Sequence, residues 1–210
     1  MNNYIKSLEW RYATKKFDTS KKVSDEDLNI LLKSIQLSAS SYGLQPYEVF
    51  IVTDREIRKK LQPVSWGQAQ IIDASHVLVF ANKTQINADW IDGYLENISK
   101  TRDITLESLS PYGDFMKSKV LALSPVEQAI WTSKQTYIAL SNLLSAAADL
   151  KIDTCPMEGF EADAYNEILG LSQKGLNAAL VAPIGYRALE DDTQHYPKVR
   201  QSKEKLFTHI

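Results

Sequence analysis

The segment from Ser124 to Leu150 constrains this chain more than any other. Ser124-Pro125-Val126-Glu127 places a capping Ser before the helix, Pro at its first position and Glu at its third. That is a capping box, and it predicts a helix running to about Leu150. The later half, from Tyr137 to Ala148, is apolar on nearly every side. A helix of that kind must be buried all round. At 210 residues the chain has material for one domain. The helix is therefore either the centre of the fold or part of a subunit interface. The small residues Ser145-Ala146-Ala147-Ala148 would let a second copy pack closely.

The remaining elements follow from local signals. Residues 2–10 read as a short helix with Ile5 and Leu8 on one face. Residues 11–18, basic and β-prone, read as an extended piece. Ser24 caps a helix with Asp25, Glu26 and Asp27 in its first turn. Leu28, Leu31, Leu32, Ile35 and Leu37 form its apolar stripe. Tyr47–Val52 reads as a strand, and Asp54 caps a further short helix. Val77–Phe80 and Ala178–Ile184 read as strands buried on both faces. Asn87–Arg102 is an amphipathic helix, and Asp163–Leu169 a short one. Residues 103–124 carry no clear period and read as a mobile insertion. Asp153-Thr154-Cys155 is a short extended piece leading into a loop, Pro156–Phe160. Residues 190–210 are polar and basic, with no core face of their own, so they must dock elsewhere or stay disordered. The order of elements is α+β, without a clean βαβ alternation.

Composition narrows the function. With 24 Lys and Arg against 26 Asp and Glu, there is no basic excess of the kind nucleic-acid binding requires. No stretch approaches the ~18 apolar residues of a membrane span. The single cysteine, Cys155, forms no internal disulfide and reads as a buried structural thiol. The N-terminus has no secretory signal pattern, and the expected compartment is cytoplasmic. The 8 glycines are about half of what average usage of ~7% would give. No G-x-G-x-x-G fingerprint occurs. Gly170–Gly175 has the glycine spacing of a phosphate loop but lacks the following Lys, and it precedes a strand, so it reads as a helix end and turn. The histidines are scattered, and no metal site is expected.

Three clusters remain. Arg11, Lys15 and Lys16 lie in one segment, and Lys198 and Arg200 in another. They are either solvated surface charge or a phosphate clamp built without glycines. Ser38-Ala39-Ser40-Ser41 before Gln45-Pro46 is either a turn or a source of hydroxyls and free N–H groups. Pro156-Met157-Glu158-Gly159 is either a turn or a place where backbone approaches a flat ligand.

Taken together, the motifs resemble one family. They are Arg11–Asp18, Ala39-Ser40-Ser41 with Gln45-Pro46, Asp73-Ala74-Ser75-His76 before a buried strand, Lys134-Gln135, Pro156–Phe160 and Pro197–Arg200, in this order along essentially the whole chain. The sequence is similar to the FMN-dependent nitroreductases, closest to the oxygen-insensitive NAD(P)H nitroreductase and dihydropteridine reductase branch. The resemblance implies an α+β nitroreductase-like fold, with a central mixed, largely antiparallel sheet flanked by helices. It implies one domain over residues 1–210 and an intertwined homodimer around the long buried central helix. Two FMN sites would lie at the interface, and residues 190–210 would dock on the partner subunit.

By the family pattern, Arg11, Lys15, Lys198 and Arg200 hold the FMN phosphate and ribityl chain, with Tyr12 and Ala13 against them. Ser40, Ser41 and Gln45 come from the other subunit. Pro156 and Met157 pack on the flavin face, and the N–H groups of Glu158 and Gly159 reach N5 and O4. The pattern has Asn and Lys where this chain has Gly67 and Gln70, so Gln68 or Gln70 is the candidate for the ring edge. Tyr42 with Gly43 replaces a more polar pair. Tyr42, with Phe115 or Met116, is the candidate substrate wall. The implied activity passes hydride from NADH or NADPH to FMN and onward to a nitroaromatic, quinone or pterin, by ping-pong kinetics and with no catalytic side chain. The alternatives are a branch that consumes reduced flavin or dehalogenates an aromatic, and a redox-inert FMN carrier or sensor. A scaffold without flavin is the remaining option.

Overall fold

The structure is a computed structural model and describes residues 2–210. Helix α1 spans Asn3–Trp10, capped by the Asn2 side chain. Helix α2 spans Asp25–Gln36, with the Asp27 N–H donating to Ser24 Oγ at 3.1 Å. Strand β1 is Tyr47–Val52, and α3, Arg55–Leu61, is capped by Asp54. A short α4, Gln70–Asp73, leads into β2, His76–Lys83. Then come α5, Ala88–Arg102, α6, Leu106–Val120, and α7, Pro125–Asp149. Strand β3, Asp153–Thr154, α8, Ala162–Leu169, β4, Leu176–Gly185, and a short α9, Lys203–Leu206, complete the order.

The sheet order is β1-β2-β4-β3, and every ladder is antiparallel. The parallel contribution is one bridge, Ala13 with Thr154. Residues 11–18 therefore form isolated bridges where the sequence suggests a longer extended piece. Side chains alternate along β2. Val77, Val79 and Ala81 enter a core shared with α3 and α8, while Leu78 and Phe80 enter one shared with α2 and α7. The central strands are buried on both faces, as their continuous apolar runs predict. A third core joins α5 and α6 through Ile91, Leu95, Met116 and Val120.

Several expectations change. Residues 103–124 are not a loose insertion, since they hold α6, capped by Thr105 and carrying Pro111. Gly113 permits the close crossing onto α5, because a Cβ there would lie 2.6 Å from Leu95 Cδ1. Leu37 leaves the stripe of α2: it is the C-cap and 71% exposed. The capping box of α7 forms as expected. Within one chain, however, α7 is not buried all round. Val126, Ile130, Tyr137 and Ile138 remain exposed on one side. Ile5 of α1 is exposed too. Cys155 is buried, and burial pushes its thiol above the usual range. Gly170 ends α8 with φ +65°, which makes it a helix end. Among the described residues, no helix is long and apolar enough to cross a membrane.

Candidate functional site

The first part of the site is a corner of like charge. Residues 11–16 lie against the β3 edge, where the Thr14 N–H donates to Thr154 O at 3.2 Å. Asp191 organises this segment. Its carboxylate accepts from Tyr12 Oη at 2.9 Å and from the N–H groups of Lys15 and Lys16 at 2.7 and 3.1 Å. Burial alone would raise the Asp191 pKa, but those hydrogen bonds hold it below the usual carboxylate range. Lys198 reaches in from the C-terminal tail and donates to Arg11 O. Arg11 Nε is buried and has no acceptor among the described residues. Burial, then the charge of Arg200, lowers the Arg11 pKa. Burial, then Arg11, Arg200 and Arg187, lowers that of Lys198. Cations crowding one another with an unmet donor have the chemistry that an anion would satisfy.

Arg187 beside them is different. Its Nε and Nη2 donate to Asp153 Oδ1 at 2.9 and 2.6 Å. Its guanidinium lies 4.2 Å from the Trp10 ring centroid and 4.5 Å from that of Tyr12. It is satisfied by its own chain and braces the corner.

The second part continues from β3. The Cys155 and Met157 N–H groups donate to Pro183 O and Val181 O, so the chain stays extended along β4. Pro156 lies between these two donors, at a position whose N–H would face away from β4, so its missing donor costs the ladder nothing. Beyond it, the N–H groups of Glu158 and Gly159 donate to no described group. From Thr154 to Glu158 is four residues, roughly 13 Å of extended chain. Gly159 lets the Trp66 ring close on the backbone, since a Cβ there would lie 2.8 Å from that ring and push it aside. Trp66 itself is 73% exposed and left-handed, at φ 55°.

The third part is the loop after α2. Ser40 Oγ accepts from the Gln45 N–H at 2.9 Å, and the Ser41 N–H donates to Gln135 Oε1 at 2.8 Å. Tyr42 and Gln45 have φ of 57° and 41°. Non-glycine residues held there are strained, and such strain gathers at functional sites. Tyr42 meets Phe115 edge-on and Trp131 at a tilt, each at 6.3 Å between centroids. Tyr112 Oη donates to Tyr42 O at 3.3 Å.

The expected site residues thus fall into separate groups. Arg11, Tyr12, Ala13, Lys198 and Arg200 come together, with Lys15 on the same segment. Gln68 sits under Gly159, with its Nε2 donating to Gly159 O at 3.0 Å. Gln70 is buried, and its amide is directed at Cys155 Sγ, 3.9 Å away. Pro156 is half-buried, but Met157 turns into the core and offers no outward face. Phe115 is 49% exposed beside Tyr42, whereas Met116 is fully buried. Successive helical residues point about 100° apart, so the two cannot line one wall. The Gln45 side chain is held by Gln36 O at 2.9 Å. Among the described residues, no hydrogen bond joins the serine loop to the corner or to the 156–159 loop.

Both loops are instead tied to α7, on different sides. Gln135 holds the serine loop, and Tyr137 Oη donates to Glu158 Oε1 at 2.7 Å. Two residues along a helix turn it by about 200°. Sequence reasoning missed Asp191, Arg187, Trp66 and Tyr137. Only their folded contacts mark them.

Comparison with known proteins bears on this arrangement. The sequence profile of the nitroreductase family matches residues 8–186. A chain of Staphylococcus epidermidis, provisionally named an NAD(P)H nitroreductase, is 39% identical over 214 residues, covering 98% of this chain and 96% of its own. One from Bacillus subtilis, named likewise, is 36% identical over 213 residues, covering 96% and 95%. Among solved structures, a provisionally named nitroreductase of Bacillus subtilis superposes with a TM-score of 0.89 at 18% identity, over 99% of both chains. Another, from Exiguobacterium sibiricum and in complex with FMN, gives 0.84 at 18% identity, over 100% of this chain and 98% of that one. At such identities the structural matches speak for the fold alone.

Proposed function

This chain belongs to the nitroreductase family, and from that premise we propose that it is an FMN-dependent NAD(P)H oxidoreductase acting as a homodimer with two interface sites. The observation that carries the reading is Arg11 Nε, a buried donor without an acceptor amid cations. FMN fits there: its phosphate would meet Arg11, Lys198 and Arg200, with Lys15 on the same segment. When bound, FMN supplies a carrier that takes hydride from NADH or NADPH and passes electrons to an acceptor.

The chain's own residues bind and orient. The corner would hold the phosphate, and the free N–H groups of Glu158 and Gly159 would face the electron-accepting edge of the ring. Because the serine loop and the 156–159 loop sit on different sides of α7, Ser40, Ser41 and Gln45 would complete the site of the partner subunit. The exposed apolar side of α7 and the exposed Val199, Leu206 and Phe207 of the tail support that assembly. Each chain then forms one domain. Residues 191–198 pack on their own chain's corner through Asp191 and Lys198, which corrects docking of the whole 190–210 segment. The exposed part from Val199 onward would dock on the partner. The Tyr42 and Phe115 rings suit a flat acceptor such as a nitroaromatic, a quinone or a pterin. The nicotinamide requirement suits a cytoplasmic enzyme.

The visible spectrum of the purified protein tests this. A yellow protein that bleaches when NADH or NADPH is added without oxygen supports the reading. A yellow protein that does not bleach would be a flavin carrier, and a colourless one that takes up no FMN overturns flavin binding altogether.

A further inference from the structure

The Glu158 and Gly159 N–H groups are conspicuous for what surrounds them. Their neighbours are all spent: Met157 N–H on Val181 O, Phe160 N–H on Glu158 O and Glu161 N–H on Val64 O. A loop with two idle donors has no reason of its own to stay still. It is nevertheless gripped from two elements. Tyr137 of α7 donates its hydroxyl to Glu158 Oε1 at 2.7 Å. Gln68, in the turn before α4, donates to Gly159 O at 3.0 Å and is itself fixed on Ser65 O at 3.1 Å. The Trp66 ring closes on the Gly159 Cα.

We propose that Tyr137 and Gln68 are positioning residues, a two-sided brace that keeps the Glu158–Gly159 donor pair aimed outward at the electron-accepting ligand. The inference rests on the flavin reading for the ligand's identity, and on geometry alone for the brace. Donors stabilise developing negative charge only when they are already oriented, because reorganisation consumes the gain. The brace does two things. It fixes the peptide planes, and it draws the Glu158 carboxylate toward α7. An untethered carboxylate could fold back and accept from the Gly159 N–H, closing the donor pair on itself. Its negative charge would also oppose reduction of a nearby ligand. Burial first, then the hydrogen bond to Glu158, pushes the Tyr137 hydroxyl up to about 12, so it remains a donor through the neutral range.

The brace assigns Gln68 to the backbone of Gly159 instead of the ring edge. It also predicts that the phosphate corner and the donor pair fail separately. Tyr137 is 40% exposed, so Phe is accommodated there without a cavity.

Two FMN-loaded variants, Tyr137→Phe and Gln68→Ala, test it against the unaltered chain, with Glu158→Gln as a control. Each variant is expected to hold oxidised FMN within about threefold of the unaltered affinity. Each is expected to favour the reduced form about tenfold less, a shift of roughly 30 mV toward negative potential for a two-electron couple. Glu158→Gln keeps an acceptor for Tyr137 and is expected to show no negative shift. A purely structural role would lower Tm and leave the potential unchanged, and that result overturns the proposal. The flavin-free protein gives a second readout. NMR order parameters of the Glu158 and Gly159 amides should fall in Tyr137→Phe. Unchanged order removes the brace even if FMN binds, whereas lost order with no FMN uptake by the unaltered chain keeps the brace and removes the flavin reading.

Discussion

Arg58 and Arg11 are both arginines taken from water, and burial pushes both below the usual arginine range. Their surroundings differ completely. Arg58 donates Nε to Val52 O at 2.9 Å, Nη1 to Ala74 O at 2.6 Å and Nη2 to Ser75 O at 2.7 Å. It staples the end of β1 to the start of β2. Arg11 has a buried Nε with no acceptor, and Lys198 and Arg200 as neighbours. A cation whose donors are spent on its own chain serves the fold. One left unmet amid like charge stores an unfavourable contact that an anion relieves.

Breaking the staple should have the largest effect. Arg58→Ala leaves three buried carbonyls without that donor, and a loss on the order of 3 kcal/mol is expected. Urea denaturation would show it as a lowered midpoint. An unchanged midpoint would mean that the staple is idle. Arg11→Ala should do the reverse. It relieves repulsion, so the flavin-free protein should be no less stable. FMN affinity should drop about tenfold or more, as expected for a lost charge-assisted hydrogen bond of about 1.5–3 kcal/mol. Flavin fluorescence titration reads this directly, and equal FMN affinity would place the phosphate elsewhere.

The pH dependence sharpens the contrast further. The cationic form of Lys198 is the one that attracts phosphate, and its pKa is depressed. FMN affinity should therefore be full below that pKa and fall above it, starting at lower pH than for an ordinary lysine. Lys198→Arg should flatten the profile. The smallest effect belongs to a satisfied neutral group. Tyr165 is fully buried, shares a hydrogen bond of 2.7 Å with Ser65 Oγ and is pushed up to about 12 by burial. A raised pKa means stability that is present below pH 10 and lost as pH rises toward 12. Alkaline melts followed by circular dichroism should show the decline, and Tyr165→Phe should remove part of it.

Much of the fold was legible because its signals are local. Ser24, Asp54, Asn87 and Ser124 cap helices within three residues of themselves. The apolar runs of β2 and β4 required burial on both faces. Helix α6 was not legible, because Pro111 and Gly113 argue against a helix locally. Packing of Leu109 and Met116 onto α5 decides otherwise. For the candidate site, family resemblance named Arg11, Lys15, Lys198 and Arg200. The structure brings Arg11, Lys198 and Arg200 together, while their role toward a ligand stays a proposal. Asp191 and Tyr137 were not legible, since an aspartate in a tail and a tyrosine in a helix carry no mark.

By itself, then, the sequence determined the helix starts, the buried strands and the stock of cations available in a glycine-poor chain. These depend on neighbours a few residues away. Tertiary structure alone decided which donors were spent and which were left over, setting Arg58 apart from Arg11 and Met157 apart from Glu158. The physical reason is that a hydrogen bond is satisfied by whatever group folding brings within about 3 Å, and that partner is usually distant in the chain.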